Sequence, residues 1–344
     1  MSKATIKKIM AEVVNNTVVS GMMGFLRKEN VPIFMLHRMQ DKECGVKGHS
    51  PEFLRKSLTY LKENNYSFIS LELLVASLNG IASIPPKSVV FTMDDGFYDQ
   101  VSIAVPIFEE FNCPVSIFLL TNFSSGISWP WDYQVDYIVD TTKLNHVTIN
   151  GDTISIDASL ENDKDRRDTS RNIKEQLKHS VTADAERLVR ELAIVLKVEL
   201  GHQPPKAYLP ITWDMARDCE SDLVQFGPHT KSHALLAHQN DEDSKKEVQE
   251  SWIKLKSELA NPLPVFCYPT GRKGIDFGQR EMDIVSSIGF SAALSVTPGY
   301  VNIASDSMGQ ERFCLARFGL PDNMEDFIQL CSWVEVVKEK LRCF

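Results

Sequence analysis

Short apolar runs alternate with helical patterns along most of this chain, and no other feature of the sequence constrains its fold as strongly. Apolar runs occupy residues 31–36, 89–93 and 115–120. A helix is predicted to begin after Ser50, a residue type that suits the N-cap, and another to cover residues 98–111. Strands that alternate with helices favour parallel pairing, because the chain must cross over between neighbouring strands. The sequence therefore predicts an α/β fold with a parallel sheet.

This alternation is interrupted at residues 140–205 and then resumes. Within the interruption, two strand-like segments flank Asn150 and Gly151, a pair that favours a tight hairpin turn. A highly charged stretch follows at 160–180, and a helical pattern follows near 183–198. We interpret the interruption as an insertion or small subdomain, built from a hairpin and a helix. Two roles stay open for it, substrate selection and a solvated decoration.

Side chains of metal-binding type follow two of the apolar runs. Asp94 and Asp95 directly follow one run, and His229 and His233 follow a later run at 223–227. Parallel α/β sheets build their active sites at strand ends. One carboxylate and two imidazoles form a three-ligand set that leaves positions open for water and substrate, and the second carboxylate is then free to act as a base. This set predicts a metal-dependent hydrolase; the alternative for Asp-Asp-Gly is a plain polar turn.

The same residues resemble the motifs of a known family. Residues 92–96 (T-M-D-D-G) resemble the T-F-D-D-G motif of the polysaccharide deacetylases, the NodB-homology carbohydrate esterases. Residues 229–233 match the H-[ST]-x-x-[HN] motif of that family, and residues 268–271 resemble its third motif, R-x-P-Y-G. The pieces occur in the family's order, across residues 32–135 and 205–320.

The resemblance implies a fold and an activity. The fold is a distorted (β/α) barrel of about seven parallel strands, in a catalytic domain that we place at residues 31–344 with the insertion at 140–205. The activity is removal of the N-acetyl group from an acetylated amino sugar of N-acetylglucosamine type, in the biosynthesis of surface polysaccharide or glycolipid. Two alternatives stay open, a deacylase or amidase for a non-carbohydrate C–N bond and a catalytically silent sugar-binding homologue. A polymeric, a lipid-linked and a nucleotide-linked substrate are all open.

Asp95, His229 and His233 are the predicted ligands of one divalent metal. Nitrogen and oxygen donors fit Zn²⁺, which is the first expectation, as well as Co²⁺, Ni²⁺ and Fe²⁺. Such a metal lowers the pKa of a bound water and polarises the acetyl oxygen. Asp94 is predicted to take the proton of that water as the general base. The resemblance assigns the same roles to these positions.

The prediction of the general acid depends on the position of an L-x-H motif in the chain. Many members of the family carry a late L-x-H motif, but the last histidine of this chain is His238. Met35, Leu36 and His37 instead end the first predicted strand, which resembles family members with a circularly permuted barrel. We therefore predict that His37 protonates the leaving amine. A structural histidine at the end of a strand is the alternative.

The third motif also departs from the family pattern. Cys267 stands near the position where an arginine is common, and Thr270 replaces the tyrosine. The backbone N–H of Thr270 can still stabilise an oxyanion, because that role needs no particular side chain. Arg317 is the candidate that supplies the missing guanidinium and orients Asp94.

Three aromatic residues near the motifs are candidate substrate-binding residues. Trp129 and Trp131 follow the predicted strand at 115–120, and Tyr268 begins the third motif. Their rings offer large flat faces on which a sugar ring can stack. For the two tryptophans, a role in the core or in anchoring a loop is the alternative.

Residues 1–30 are predicted to form an N-terminal helix. Apolar residues recur at spacings of three or four between residues 4 and 28, with lysines and arginines at both ends. This helix packs on the domain or lies on a membrane surface, where it would give peripheral membrane association. No apolar stretch in the sequence approaches the ~18–20 residues that span a membrane. The first residues lack the pattern of a secretory signal.

Net charge and cysteine content restrict the binding partners and the cellular compartment that we expect for the protein. A net charge of −9 argues against a nucleic-acid partner, and it disfavours a polyanionic substrate unless a local basic patch overrides it. Seven cysteines occur without the spacing of a metal finger or a disulfide framework, which favours a reducing compartment. We therefore predict a cytoplasmic protein. That location suits an enzyme that acts on precursors better than one that acts on finished cell-wall polymers.

Overall fold

The structure, a computed structural model, describes residues 29–304 and 309–332, except residues 179 and 181. Twelve strands are found in these residues: β1 (Asn30–Val31), β2 (Ile33–Leu36), β3 (Ser67–Phe68), β4 (Ser88–Met93), β5 (Val115–Leu119), β6 (His146–Asn150), β7 (Ser155–Ser159), β8 (Val224–Pro228), β9 (Val265–Cys267), β10 (Ala292–Leu294), β11 (Val301–Asn302) and β12 (Phe318–Gly319). A six-stranded parallel sheet contains β12, β2, β4, β5 and β8 in that order, and β3 pairs with the start of β4. The predicted parallel α/β architecture is confirmed.

Further pairing closes this sheet into a distorted barrel. β9 and β10 form a parallel pair. On one side of this pair, the amide of Leu263 donates to the carbonyl oxygen of Phe226 in β8 at 2.8 Å. On the other side, Leu294 of β10 pairs in parallel with Leu315, which lies just before β12. The strands β12, β2, β4, β5, β8, β9 and β10 therefore follow one another around the molecule, as the prediction of about seven strands required.

Helices surround the barrel and connect its strands. They are α1 (Pro51–Glu63), α2 (Leu71–Leu78), α3 (Val105–Glu110), α4 (Thr121–Ser124), α5 (Trp131–Thr141), α6 (Asp163–Leu177), α7 (Thr182–Val195), α8 (Trp213–Cys219), α9 (Asp241–Glu258), α10 (Gln279–Ile288) and α11 (Met324–Cys331). Ser50 caps α1 as predicted, because its hydroxyl accepts the amide N–H of Phe53 at 3.0 Å.

Aromatic packing fixes the register of the two strands that carry the first motif and its neighbour. Phe34 of β2 and Phe91 of β4 are paired residues whose rings stack at 5.6 Å between centroids, and both are fully buried. In the same register, the amide of Asp94 donates to the carbonyl oxygen of Leu36 at 3.0 Å. The next residues of both strands, His37 and Asp94, therefore emerge at the same edge of the sheet.

One predicted helix is divided in two. Residues 98–111 form a π-helical turn at Gln100–Ala104 followed by α3. The buried side chain of Gln100 donates to the main-chain oxygens of His37 at 2.6 Å and Asp94 at 2.5 Å. The wider turn thus occurs where a side chain ties two strand ends together, and π-turns are frequent at such functional places.

The insertion forms a compact unit. Its hairpin, β6 and β7, is antiparallel as predicted. The turn differs from the expected two-residue turn, because Asn150 ends β6 and pairs with Ser155, which leaves residues 151–154 as a four-residue loop. The charged stretch 160–180, for which no structure was predicted, contains α6. Its few buried residues, among them Ile173 and Leu177, give too weak a periodicity to reveal a helix in a segment this polar. α6 and α7 pack on α5 and share one hydrophobic cluster with the hairpin.

The predicted N-terminal helix at residues 4–28 lies outside the described residues. No helix in the described part of the chain is both long enough and apolar enough to cross a membrane.

Candidate metal centre and catalytic pocket

The first motif lies in a strained turn at the end of β4. Asp94 and Asp95 are 1% and 2% exposed, and Asp95 has a left-handed backbone with φ of 79°. Gly96 follows at φ of 79°, and a Cβ on it would come within 2.7 Å of Leu119 Cδ2. Left-handed backbone is costly for a residue with a Cβ, so it persists where the surrounding fold enforces it. The turn brings the two adjacent carboxylates into one pocket.

The second motif uses the same kind of backbone after β8. Thr230 and His233 have φ of 70° and 61°, and the Thr230 hydroxyl accepts the amide N–H of His233 at 3.1 Å. The turn brings both imidazoles to the first motif. Asp95 Oδ1 lies 3.4 Å from His229 Nε2 and 3.6 Å from His233 Nε2.

These three side chains fit a metal ion. One ligand atom of each lies within 4.8 Å of the others. Asp95 Oδ1 is fully buried and has no hydrogen-bond partner among the described residues, although a buried carboxylate oxygen ordinarily needs one. The Nδ1 atoms are held elsewhere, His229 by the carbonyl oxygen of Cys267 at 2.8 Å and His233 by Asp132 Oδ1 at 3.2 Å. This arrangement leaves both Nε2 atoms turned toward Asp95, as in metal sites whose histidines are oriented by a second partner.

The charges around the three side chains also suit a cation. Burial would raise the pKa of Asp95, but the neighbouring imidazoles of His229, His233 and His37 outweigh it and hold that pKa below the usual range. Burial would lower the pKa of His233, but the carboxylates of Asp132 and Asp95 outweigh it and raise the pKa to about 9. The site therefore keeps a carboxylate ionised and favours positive charge at its centre.

A second set of possible ligands, Asp94, His229 and Cys267, is equally close but already engaged. Arg317 Nη2 lies 2.7 Å from Asp94 Oδ2 and 3.2 Å from Cys267 Sγ. Burial raises the pKa of the Cys267 thiol well above its usual value, so the thiolate that binds metals is disfavoured. The geometry therefore favours Asp95, His229 and His233 over this set.

Asp94 is held by a buried arginine. Arg317 Nη1 donates to Asp94 Oδ1 at 2.8 Å and Nη2 to Oδ2 at 2.7 Å, and the guanidinium side chain is fully buried. Burial would raise the pKa of Asp94, but the charge and hydrogen bonds of Arg317 outweigh it and hold the pKa below the usual value. Asp94 is thus an oriented, ionised carboxylate beside the candidate metal ligands.

The structure brings His37 and Thr270 into the same pocket. This cavity of about 300 Å³ is lined by both of them and by Asp94, Asp95, His229 and His233. His37 Nε2 lies 4.0 Å from Asp94 Oδ2, and its side chain is 43% exposed. Thr270 has φ of 52°, and within the described residues its amide N–H donates no hydrogen bond.

The three predicted substrate-binding aromatics do not line this pocket. Trp129 is 4% exposed and packs among Phe97, Leu120 and Phe123. Trp131 is 4% exposed in the core of the insertion, and Tyr268 is 1% exposed, stacked on Phe277 at 3.8 Å. Their faces are covered by other side chains, so the structure gives them packing roles and no open surface for a sugar ring.

Two residues at the start of α5 complete the site, and the sequence analysis assigned them no role. The Tyr133 hydroxyl donates to Asp95 Oδ2 at 2.7 Å, and Asp132 contacts His233 as described above. Burial raises the pKa of Tyr133 well above its usual value, so the hydroxyl remains a donor. Their only signal in the sequence is their position after β5, since neither belongs to a motif.

Comparison with known proteins reveals a family. A family model described as polysaccharide deacetylase matches residues 82–292, more than half of the 344-residue chain. No curated protein sequence matches the chain.

Solved structures share the fold at low sequence identity. The deacetylase PplD of Streptococcus pyogenes, solved in complex with acetate, has a TM-score of 0.55 and 15% identity, over 88% of this chain and 98% of that one. IcaB from Ammonifex degensii has a TM-score of 0.55 and 14% identity, over 89% of this chain and 97% of that one. BC0361, a polysaccharide deacetylase from Bacillus cereus, has a TM-score of 0.53 and 14% identity, over 88% and 69%.

Proposed function

This chain belongs to the polysaccharide deacetylase family, and we propose that it is a metal-dependent hydrolase that removes the acetyl group from the nitrogen of an acetylated amino sugar. The observation that carries the proposal is the unpartnered, buried Oδ1 of Asp95, which faces the Nε2 atoms of His229 and His233. In the same pocket lies Asp94, a second carboxylate that is ionised and oriented.

Asp95, His229 and His233 would hold one divalent metal. Two imidazole nitrogens and a carboxylate oxygen suit Zn²⁺, and also Co²⁺, Ni²⁺ or Fe²⁺. A metal bound there would activate a water molecule and polarise the carbonyl oxygen of the acetyl group. Asp132 and Tyr133 keep His233 and Asp95 in position through their hydrogen bonds.

Two side chains, at the ends of two neighbouring strands, carry out the proton transfers in this proposal. Asp94 accepts the proton of the attacking water, and Arg317 keeps this carboxylate ionised and turned toward the pocket. His37, which lies 4.0 Å from Asp94 and is partly exposed, donates a proton to the leaving nitrogen. Thr270 lines the pocket, and its amide N–H makes no hydrogen bond to the described residues. In this proposal that N–H stabilises negative charge on the acetyl oxygen.

The setting that we propose is the cytoplasmic assembly of surface polysaccharide or glycolipid. Five cysteines of the described residues are free thiols, two of them buried, which suits a reducing compartment; they are Cys44, Cys113, Cys219, Cys267 and Cys314. A sugar of N-acetylglucosamine type on a precursor is then a more accessible substrate than a finished polymer outside the cell.

Acetate release tests the proposal. Purified protein loaded with Zn²⁺ should release acetate from N-acetylglucosamine oligomers or from lipid-linked or nucleotide-linked acetylated sugars, and a chelator should abolish the release until metal is added back. His229→Ala should lose the metal, measured by mass spectrometry of the bound metal, together with activity. His202→Ala, at an exposed residue outside the pocket, is the control and should retain both. Hydrolysis of simple non-carbohydrate amides without any sugar hydrolysis would overturn the substrate class, and full activity after metal removal would overturn the mechanism.

A further inference from the structure

A second cavity opens beside the catalytic pocket, and the insertion builds one of its walls. This cavity of about 350 Å³ shares Tyr133, Asp136 and Lys174 with the catalytic pocket. Arg167, Arg171 and Lys174 of α6 line it together, because residues four and seven positions apart lie on the same face of a helix. A group bound in this cavity is therefore a direct neighbour of a group bound in the catalytic pocket.

The lining of this cavity is basic in a protein whose net charge is −9. Its side chains include five cations, Arg38, Lys47, Arg167, Arg171 and Lys174, against two carboxylates, Asp136 and Asp140. A local field of this sign opposes the overall charge, and a cleft lined by one sign of charge attracts its counter-ion.

Two of the five cations, Lys174 and Arg38, are committed to partners in largely buried pairs, and a third, Lys47, makes an exposed pair that contributes little. Lys174 pairs with Asp136 at 2.8 Å, Lys47 with Asp140 at 3.2 Å, and Arg38 with Asp99 at 2.8 Å. These pairs partly neutralise their side of the cavity, so they shape its wall more than they bind a ligand.

The two arginines of α6 remain available to a ligand. Arg171 makes an exposed pair with Asp168 at 3.2 Å, a type of contact that contributes little and is easily exchanged. Arg167 makes no ion pair or hydrogen bond to any residue that the structure describes. Two guanidinium groups on adjacent turns of a helix match the several oxygens of a phosphate better than the single plane of a carboxylate.

We propose that the substrate carries a phosphoryl group on the acetylated sugar, and that Arg167 and Arg171 of the insertion bind this group while the acetamido group occupies the catalytic pocket. This inference rests on the proposed deacetylation, and it assigns substrate selection to the insertion. Nucleotide-linked and lipid-linked sugars share this phosphate chemistry, whereas a neutral finished polymer lacks it.

Matched substrates test the proposal. Rates of acetate release are compared for the neutral methyl glycoside of N-acetylglucosamine, its 1-phosphate, a uridine-diphosphate-linked form and a form linked through diphosphate to a short polyprenol. A disaccharide with a glucuronic acid neighbour supplies a carboxylate instead. We expect kcat/KM to be about 10-fold or more higher for the phosphate-bearing sugars, the size of one charge-assisted contact. The last two phosphate forms reveal which carrier is preferred.

Variants then tie the preference to the cavity. The double variant Arg167→Ala/Arg171→Ala should reduce the ratio of kcat/KM between phosphate-bearing and neutral sugars by about 10-fold, mainly through KM. Arg167→Lys/Arg171→Lys should restore part of that ratio, which a loss of folding would not. Arg187→Ala/Arg190→Ala removes the same two charges from exposed positions of α7 outside the cavity and should leave the ratio unchanged. Equal rates on neutral and phosphate-bearing sugars, an unchanged ratio in the double variant, or a preference for the glucuronate would overturn the inference.

Failure of the deacetylation itself would be seen separately. If no sugar releases acetate, calorimetry with the 1-phosphate still measures the anion site. Binding that the double variant weakens about 10-fold supports the phosphate site, and binding that is absent or unaffected by the variant refutes it.

Discussion

Arg317 and Asp94 form a buried, two-point ion pair although 223 residues separate them in the sequence, with 2.8 Å between Nη1 and Oδ1 and 2.7 Å between Nη2 and Oδ2. Arg317 directly precedes β12, β12 pairs with β2, and β2 pairs with β4, whose end carries Asp94. The order of strands in the barrel therefore brings the Arg317 guanidinium next to Asp94. The third motif has no arginine and cannot supply this contact.

Replacing this arginine should lower both stability and activity. Arg317→Met leaves Asp94 buried without its partner, and breaking a buried pair costs about 3–5 kcal/mol of unfolding free energy. Denaturant unfolding at pH 7 measures that loss. Arg55→Met is the control, since its pair with Glu110 is about half-exposed and should contribute at most about 1 kcal/mol.

The pH dependence of the same variant has a definite sign. A carboxylate whose pKa is depressed in the folded protein stabilises the fold above its unfolded pKa, and this stabilisation is lost as the pH falls through the folded pKa. Arg317 depresses the pKa of Asp94, so Arg317→Met should lack this stabilisation at neutral pH. The acidic limb of kcat/KM should move to higher pH, and an unmoved limb would show that Arg317 does not control the ionisation of the base.

Substitutions of the two adjacent aspartates should have different effects, because Asp94 is proposed as the base and Asp95 as a metal ligand. Asp94→Asn should keep the metal and lose activity by about 10²–10⁴-fold, the usual size of a general-base effect. Asp95→Asn should lose metal affinity, because it removes a ligand charge from the centre. Metal content and kcat, measured for both variants, distinguish the two roles. Loss of metal in Asp94→Asn would mean that the roles are reversed.

His37 should act on the proton of the leaving amine and not on the metal. His37→Ala should retain the metal, lose about 10²-fold or more in kcat, and remove the alkaline limb of the pH–rate profile. Because the side chain is 43% exposed, the melting temperature should change little. A variant with a normal alkaline limb would leave the residue with a structural role at the strand end.

Tyr133, near the start of α5, should support metal binding although it belongs to none of the sequence motifs. Tyr133→Phe removes the hydroxyl that donates to Asp95 at 2.7 Å and keeps the ring in place. Loss of such a supporting contact typically weakens metal affinity or activity by about 10–100-fold, which competition with a chelating dye measures. Tyr137→Phe is the control, because its hydroxyl makes no hydrogen bond to the described residues while its ring also packs in this aromatic group. Equal affinities in both variants would refute the role of Tyr133.

The sequence by itself determined the family, the parallel α/β fold and the strand ends at which Asp94, Asp95, His229 and His233 lie. These features are local, because an apolar run predicts a buried strand and the polar residues that follow it lie at its end. The hairpin of β6 and β7 was predictable for the same reason, because Asn150 and Gly151 lie between two strand-like segments. Its register was not predictable, since Asn150 pairs with Ser155 and the turn is the four-residue loop 151–154.

Closure of the barrel and packing between distant segments decided the rest. The contact of Arg317 with Asp94, the hydrogen bond from Tyr133 to Asp95, and the burial of Trp129 each depend on which strands and helices become neighbours. A tryptophan near a motif has the same sequence signal whether its face is open or covered, and only packing distinguishes the two. The basic face of α6 is equally invisible in a charged stretch until the helix forms and places Arg167 and Arg171 beside the catalytic pocket, because charge alone does not specify which direction a side chain faces.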